Sequence, residues 1–397
     1  MRLLNVVPTY LPAVRYGGTV RAVHGICRAL ASRGHAVTVY TSTVDGPSRI
    51  EVGPGQPVFL DGVEVRYFPA LLQRPCWSPA MGRALARHVR DFDLVLIHSV
   101  FLWPTWAAAR ISHASGVPYV IAPHGMLVPE LVLRKNRLLK TAWISLVERR
   151  NLERAAAIHV TSGIEADDLR RFGFRLPRVF VVPHGVEETQ DFDPRDVSAS
   201  VTETLARRPL LLFLGRVNWK KGLDRLIAAL PQVPSAHLAV AGGDEGGLTS
   251  SLSAQARQLG LAGRVTFLGH VEGANKAALL AGADVFALPS ESENFGCAVL
   301  EAMAAGLAVV VSPGVGLAPE VRNSEAGLVV ERDPSSLAAA FRTLLGSAEL
   351  RRQMGARGRA AVAARYRWDR VGEALEQALI PLIRTRDSAS TRSGATW

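Results

Sequence analysis

Two carboxylates with seven residues between them, spanning a turn and a helix start, are the first feature with chemical content. In Pro289-Ser-Glu-Ser-Glu-Asn-Phe-Gly-Cys-Ala-Val-Leu-Glu-Ala-Met-Ala-Ala-Gly306, an apolar run ends at Leu288, a turn follows, and a helix is predicted to open near Phe295 and Gly296. The first turn of a helix presents unpaired backbone N–H groups and a positive dipole end, which together attract an anion. Glu293 stands just before that turn, and Glu301 lies about 8 Å further along the helix axis. Carboxylates on both sides of an anion site suit a ligand with hydroxyl groups on both sides of a phosphate. On spacing alone, a capping glutamate followed by a solvated one explains the pattern equally well.

A second cluster, Leu214-Gly-Arg-Val-Asn-Trp-Lys-Lys-Gly222, follows an apolar run at 210–214. Cations at the carboxyl end of a strand sit where open α/β sheets bind ligands. Arg216 and Lys221 suit a diphosphate, one as a planar fork and the other as a point charge. Read alone, the cluster is equally a basic turn in water.

The elements that must carry these groups alternate between short apolar strands and amphipathic helices. Strands are predicted at 3–7, 37–40, 63–68, 94–98, 119–123, 157–161 and 179–183, with a helix over 19–32 behind the loop that holds Gly17 and Gly18. After the acidic, polar stretch 186–208, the pattern restarts with strands at 210–214, 237–241, 265–268, 285–288, 309–312 and 328–330. Continuous apolar strands separated by helices call for parallel sheets covered on both faces. The expected architecture is α/β: two doubly wound domains, 1–186 and 209–366, with a cleft between the carboxyl ends of their sheets. A last helix at about 368–383 is expected to return to the first domain, ahead of a disordered tail at 384–397.

Composition narrows the classes. At 397 residues, 48% hydrophobic and 20% charged, the chain is neither disordered nor fibrous. Its three cysteines, Cys27, Cys76 and Cys297, form no CxxC pair, which argues against a disulfide framework and fits a reducing compartment. Neither the amino-terminal run nor 302–319 reads as a signal peptide or spanning helix, so a soluble, cytoplasmic protein is expected. The net charge of +11 is one-sided: residues 1–185 hold 23 basic and 12 acidic side chains, whereas 186–397 hold 23 of each. Such asymmetry suits an anionic partner, namely nucleic acid, an acidic membrane or a phosphorylated substrate. Residues 131–154 add seven Arg and Lys to two Glu with Leu138, Trp143 and Leu146 interleaved, the pattern of a basic helix lying on an anionic membrane or of an ordinary helix with a buried face. No reading helix or stacking surface for nucleic acid is evident.

These pieces in this order resemble the retaining glycosyltransferases of family 4, whose GT-B fold pairs two facing Rossmann-like domains. The resemblance runs over nearly the whole chain. It rests on Glu293-x7-Glu301, on Gly215-Arg216 with Lys221-Gly222, and on Tyr16-Gly17-Gly18-Thr19, Ala122-Pro-His124-Gly125, Val182-Pro-His184-Gly185 and Arg264-Val-Thr-Phe-Leu-Gly269. It implies a nucleotide-sugar donor whose sugar hydroxyls bind Glu293 and whose ribose binds Glu301. It places the diphosphate on Arg216 and Lys221, assisted by amides at Asn294, Phe295 and Gly296. Gly17 and Gly18 would approach the donor phosphate or the acceptor, and His124 the reacting centre. No cofactor and no metal are implied. The acceptor expected from family and charge together is a glycan or polyprenyl-diphosphate-linked glycan, met at the inner face of an anionic membrane. The chain departs from the family at His184, where Asn is usual, and at Val315 and Gly316, where Gly-Gly or Thr-Pro is common. Competing readings are a nucleotide-sugar epimerase on the same fold and a non-catalytic nucleotide-sugar-binding protein.

Other patterns carry less. Asp91-Phe-Asp93 precedes its strand and Asp191-Phe-Asp193 falls in the polar stretch, so neither DxD is placed to hold a metal at the ligand edge. Gly314-Val-Gly316-Leu-Ala-Pro319 has proline where a dinucleotide fingerprint needs its third glycine. His98, His124 and His184 each end a predicted strand. A three-histidine metal site has no supporting pattern, and His98 and His184 read as structural.

Overall fold

The computed structural model describes residues 1–13, 18–53, 56–132, 137–187 and 191–390. Two units emerge from the packing: Met1–Gly185 with Trp368–Trp397, and Val186–Arg367. Each is built on a sheet whose inner strands are largely apolar and buried. Leu94–His98, Leu210–Leu214, Val285–Leu288 and Ala308–Val311 are buried throughout. That burial requires helices on both faces and hence parallel crossovers.

In the second unit the spatial order is Val265–Gly269, His237–Ala241, Leu210–Leu214, Val285–Leu288, Ala308–Val311 and Gly327–Val329, all parallel. In chain order this is 3-2-1-4-5-6. The winding therefore reverses between Leu210–Leu214 and Val285–Leu288, and at that switch point the loops leaving the two strands part to leave a crevice. The first unit repeats the scheme. Val63–Phe68, Ala36–Ser42 and Arg2–Val7 lie on one side of the reversal, with Leu94–His98, Tyr119–Ala122, Ala157–Val160 and Arg178–Val181 on the other.

Four features differ from the sequence reading. The first sheet has an antiparallel edge strand, Pro57–Leu60, whose alternating exposed and half-buried positions lack the apolar run used to find the others. The segment 186–208 is not a bare connector. It carries the Ala199–Leu205 helix, whose Val201 is buried in the second core, and its polarity reflects one exposed face. The last helix runs Trp368–Ser390, through the first seven residues of the segment expected as a tail. Residues 391–397 lie outside the described residues. Val371, Leu375 and Leu379 of this helix are buried in the core that also holds Val23, Ile26 and Leu30 of the Gly18–Ser32 helix, and Glu376 pairs with Arg33 and His35 at its edge.

Within 131–154, residues 133–136 lie outside the described residues, and the helix over Arg137–Trp143 passes through a π-turn at Ile144–Glu148 before it continues as Arg149–Glu153, in place of one regular helix. The cause is Glu148, which is buried and accepts from the Phe101 N–H at 2.7 Å and the Trp143 indole N–H at 2.8 Å. Drawing one carboxylate inward inserts an extra residue into the helical ladder. Leu138 and Leu146 remain exposed, at 87% and 61%.

Candidate functional site

The second unit gathers its charged candidates at the switch point. Strand Leu210–Leu214 runs out into Gly215 and Arg216, and a single 3-10 turn, Trp219–Lys221, follows, with the Asn218 side chain accepting from the Lys220 N–H at 3.1 Å. Gly222 then turns with a left-handed φ of 68° against Pro289, whose carbonyl oxygen a Cβ would strike. Opposite, Val285–Leu288 runs out into the loop bearing Glu291, Glu293 and Asn294. The two loops are stitched together where the Glu291 N–H donates to the Lys220 carbonyl at 2.7 Å.

Glu293 sits on a rigid seat. Its N–H donates to the Gly314 carbonyl at 2.9 Å, and its carbonyl accepts from the Gly316 N–H at 2.8 Å. This short parallel bridge accounts for the departure at Val315 and Gly316: any side chain at Gly316 would run into the Asn294 carbonyl. The glycines that mimic part of a dinucleotide fingerprint thus buttress the glutamate loop. Behind it, Gly296 with φ 100° opens the Cys297–Ala305 helix without a side-chain cap, leaving that end to its backbone amides. Glu301 lies within this helix.

Each of the named charges has a partner inside the unit. The Lys221 ammonium donates to Glu293, the two side chains being only 17% and 23% exposed. Lys276 donates to Glu301 at 2.9 Å. Arg216 donates to Glu245 at 2.6 Å, and the Asn218 amide holds the other carboxylate oxygen of Glu245 at 2.7 Å. Burial lowers the Lys220 ammonium below its ordinary range and pushes the Cys297 thiol up to about 12, so Cys297 stays protonated beside the glutamates. The arrangement is a set of ion pairs at one sheet edge, with the Lys221–Glu293 pair just ahead of a helix start. An incoming dianion would take over the cations, and incoming hydroxyls the carboxylates.

The first unit presents a different chemistry. One imidazole comes from each of four neighbouring strands or their exits: His98, His124, His159 and His184. His98 and His124 stack with ring centres 5.2 Å apart, and His124 and His184 at 5.6 Å. His98 also meets Asn5 on Arg2–Val7, its Nε2 lying 2.9 Å from the amide oxygen. Burial keeps the cluster neutral. It drives His98 and His184 down to about 3, His159 to about 4, and His124 well below the usual imidazole range, neighbouring imidazoles adding to the effect for His98, His124 and His184. His124 sits at the head of a turn with φ 53°, followed by Gly125 at 72°. The buried carboxylate of Glu165 holds that turn by accepting from the Gly125 N–H at 2.6 Å and from the Thr161 N–H at 2.8 Å.

Among the residues expected from sequence, Arg216, Lys221, Glu293, Asn294, Phe295, Gly296 and Glu301 are thus brought to one edge of the second sheet. His124 stands at the same edge of the first, and Gly18 opens its first long helix. Gly17 lies outside the described residues, as do Arg134 and Lys135. The sequence reading missed Glu245, Lys276, Asn5 and Glu165. Only Glu165 had a local signal, the Ser162-x-x-Glu165 capping pattern, and its serine does cap the Gly163–Arg170 helix. Both DxD decoys are locally occupied: Asp91 faces His88, Asp93 accepts from the Arg2 N–H, and Asp193 pairs with Arg195. Among the described residues no group of three or more His, Cys, Asp or Glu is arranged to hold a metal ion.

Two 3-2-1-4 α/β units with charge pairs at one switch point and a strand-end histidine cluster in the other define a GT-B type protein, and comparisons place it further. Residues 16–190 match the Glycosyltransferase Family 4 description, and residues 198–361 match Glycosyl transferases group 1. The chain is 31% identical over 382 residues to a D-inositol 3-phosphate glycosyltransferase of Xylanimonas cellulosilytica, covering 90% of each protein. It is 28% identical over 411 residues to a glycogen synthase of Mycobacterium tuberculosis, covering 95% of this chain and 94% of that one. Its fold matches Anabaena HepE in complex with UDP and glucose, with a TM-score of 0.76 at 20% identity over 96% of this chain and all of the other. The chain belongs to the family 4, group 1 glycosyltransferases.

Proposed function

We propose that this glycosyltransferase moves a hexose from a nucleoside-diphosphate sugar to a glycan or polyprenyl-diphosphate-linked glycan, with retention of anomeric configuration. The observation that carries the reading is the set of three ion pairs at this sheet edge, Arg216 with Glu245, Lys221 with Glu293 and Lys276 with Glu301, together with the uncapped start of the Cys297–Ala305 helix, a natural anion seat. Arg216 and Lys221 take the diphosphate, releasing Glu245 and Glu293. Glu293 then accepts hydrogen bonds from the sugar hydroxyls, and Glu301 from the ribose. As the bond from the anomeric carbon to the diphosphate oxygen breaks, positive character grows on the sugar ring and negative charge on the leaving group. Arg216, Lys221 and the helix-start amides stabilise that charge from fixed positions, without needing a metal. The departing phosphate oxygen takes the proton of the attacking hydroxyl on the same face of the sugar. His124 stands at the reacting centre in this reading.

The acceptor side is read from charge. The first unit carries the whole excess of +11, and Leu138 and Leu146 stand exposed beside Lys140, Arg149, Arg150 and Arg154. An anionic membrane surface on the cytoplasmic side suits that patch, and polysaccharide assembly on a lipid carrier suits the location. No helix among the described residues is long and apolar enough to cross a membrane. A screen of UDP-, GDP- and ADP-sugars by thermal shift, followed by product analysis with an added lipid-linked acceptor, tests the proposal. One stabilising donor and an acceptor-dependent product of unchanged anomeric configuration are expected. Donor turnover without acceptor would mean an epimerase, and tight donor binding without any turnover would mean a binding protein.

A further inference from the structure

The imidazole cluster holds a directional chain of hydrogen bonds that ends on His124. The Asn5 amide oxygen lies 2.9 Å from His98 Nε2 and can only accept, so that nitrogen carries the proton. A neutral His98 then has a bare Nδ1, which lies 2.9 Å from His124 Nε2. That contact needs the proton on His124 Nε2 and leaves His124 Nδ1 bare in turn. The Nδ1 atom is buried and has no hydrogen-bond partner among the described residues. His184 stacks on the same ring, and Glu165 holds the turn below it, so the imidazole is fixed in orientation as well as in tautomer. A buried acceptor without a donor is costly unless a ligand completes it.

We infer that Asn5 and His98 are positioning residues that hold His124 as a neutral acceptor at Nδ1, ready for a hydroxyl group of the transferred sugar or its acceptor. The hydroxyl partner rests on the glycosyl-transfer reading above, whereas the tautomer does not. In this arrangement His124 accepts a hydrogen bond and has no proton to give at Nδ1, so it orients a hydroxyl instead of acting as a general acid. Burial of all four imidazoles, which opposes their charging, keeps the chain of contacts intact at neutral pH.

Histidine-selective 15N labelling of the full chain at pH 7 tests this without substrate. The signals are assigned with His98→Gln and His124→Gln. His98 and His124 are both expected with a protonated Nε2 and a bare Nδ1. An Nδ1–H tautomer or an imidazolium at His124 would overturn the inference. In Asn5→Leu and His98→Leu the His124 signals are expected to become a tautomer mixture. In His98→Gln, whose amide oxygen can still accept from His124 Nε2–H, the wild-type tautomer is expected to persist. A His124 tautomer unchanged by Asn5→Leu and His98→Leu would also overturn it. With UDP-glucose as the probe donor, Asn5→Leu is expected to lower turnover about tenfold, the loss expected of one weakened hydrogen bond, and to leave UDP inhibition unchanged. If wild-type protein turns over no sugar donor, the transfer reading fails while the spectra still decide the tautomer.

Discussion

The two units share a winding order and place their candidate groups at the same sheet edge, yet they solve the electrostatics in opposite ways. The second unit keeps full charges and satisfies them in pairs: Arg216 with Glu245, Lys221 with Glu293, Lys276 with Glu301. The first unit buries four imidazoles and keeps them neutral. Paired charges can be exchanged for those of a ligand at little net cost, which suits a site that binds and releases a dianion. Neutral imidazoles hold geometry and offer lone pairs, which suits orienting uncharged hydroxyls. An α/β switch point fixes where a ligand sits, and the side chains choose which chemistry meets it.

Acid should separate the units most. A histidine whose folded pKa lies near 3 or 4, against about 6.5 unfolded, leaves the unfolded chain binding more protons below pH 6.5. Stability is therefore lost as pH falls from about 6.5 toward 4, on the order of 2 kcal/mol per such histidine at pH 5. His35, lowered by burial, adds to this loss, whereas Glu148 and Asp168, both raised by burial, work in the opposite direction. In the second unit, burial lowers one histidine, the half-buried His237, a contribution of the same sign, while Asp244, Asp193 and Asp333, held low by hydrogen bonds, come into play only near and below pH 4. Hydrogen exchange on the intact chain should show first-unit amides losing protection well before second-unit amides. Simultaneous loss in both would break the comparison.

Next in size is Glu293→Ala, which should cost about 2–4 kcal/mol in kcat/KM, because a preorganised polar contact to the reacting sugar disappears. Near-wild-type activity in a folded variant would remove the sugar from this seat. Arg216→Ala and Lys221→Ala should each weaken UDP binding by about 1.5–3 kcal/mol, the range for hydrogen bonds to a charged group. Calorimetry giving unchanged UDP affinity would place the diphosphate elsewhere.

The charge on the first unit is worth about 1 kcal/mol per basic side chain engaged at an anionic surface. Changing Lys140, Arg149, Arg150 and Arg154 to Gln should remove most salt-sensitive co-sedimentation with anionic vesicles and leave UDP binding intact. Equal, negligible binding of the wild-type chain to anionic and neutral vesicles would assign the charge to a soluble phosphorylated acceptor. The smallest effect belongs to Glu245→Gln. Its pair with Arg216 is half exposed, so releasing the arginine should tighten UDP binding by only about 0.2–1 kcal/mol, fading at high salt. Weaker binding instead would mean that Glu245 positions Arg216 more than it competes for it.

Strand cores were the most legible part of the chain, because burial on both faces leaves an unbroken apolar run that no solvent-facing segment shares. Leu94–His98, Leu210–Leu214, His237–Ala241 and Val285–Leu288 could be placed to the residue. Pro57–Leu60 could not, since an edge strand satisfies half its surface with water. The 131–154 stretch read as one amphipathic helix because its periodicity does not register the inward pull of Glu148. The helix at 199–205 was hidden in a polar segment, because one buried valine carries little periodic signal.

By itself, the sequence determined the two α/β repeats, the one-sided positive charge and the local motifs around Glu293, Arg216 and His124, since these depend on neighbours in the chain. Only the tertiary structure decided the partners. Glu245 reaches Arg216 across 29 residues, Lys276 reaches Glu301 across 25, and Asn5 reaches His98 across 93. Parallel sheets force this, because each strand must return through a helix before it meets its neighbour, so groups adjacent at the ligand edge are distant in sequence. Spacing along one chain therefore named the residues that carry charge, and the stacking of strands determined which charge meets which.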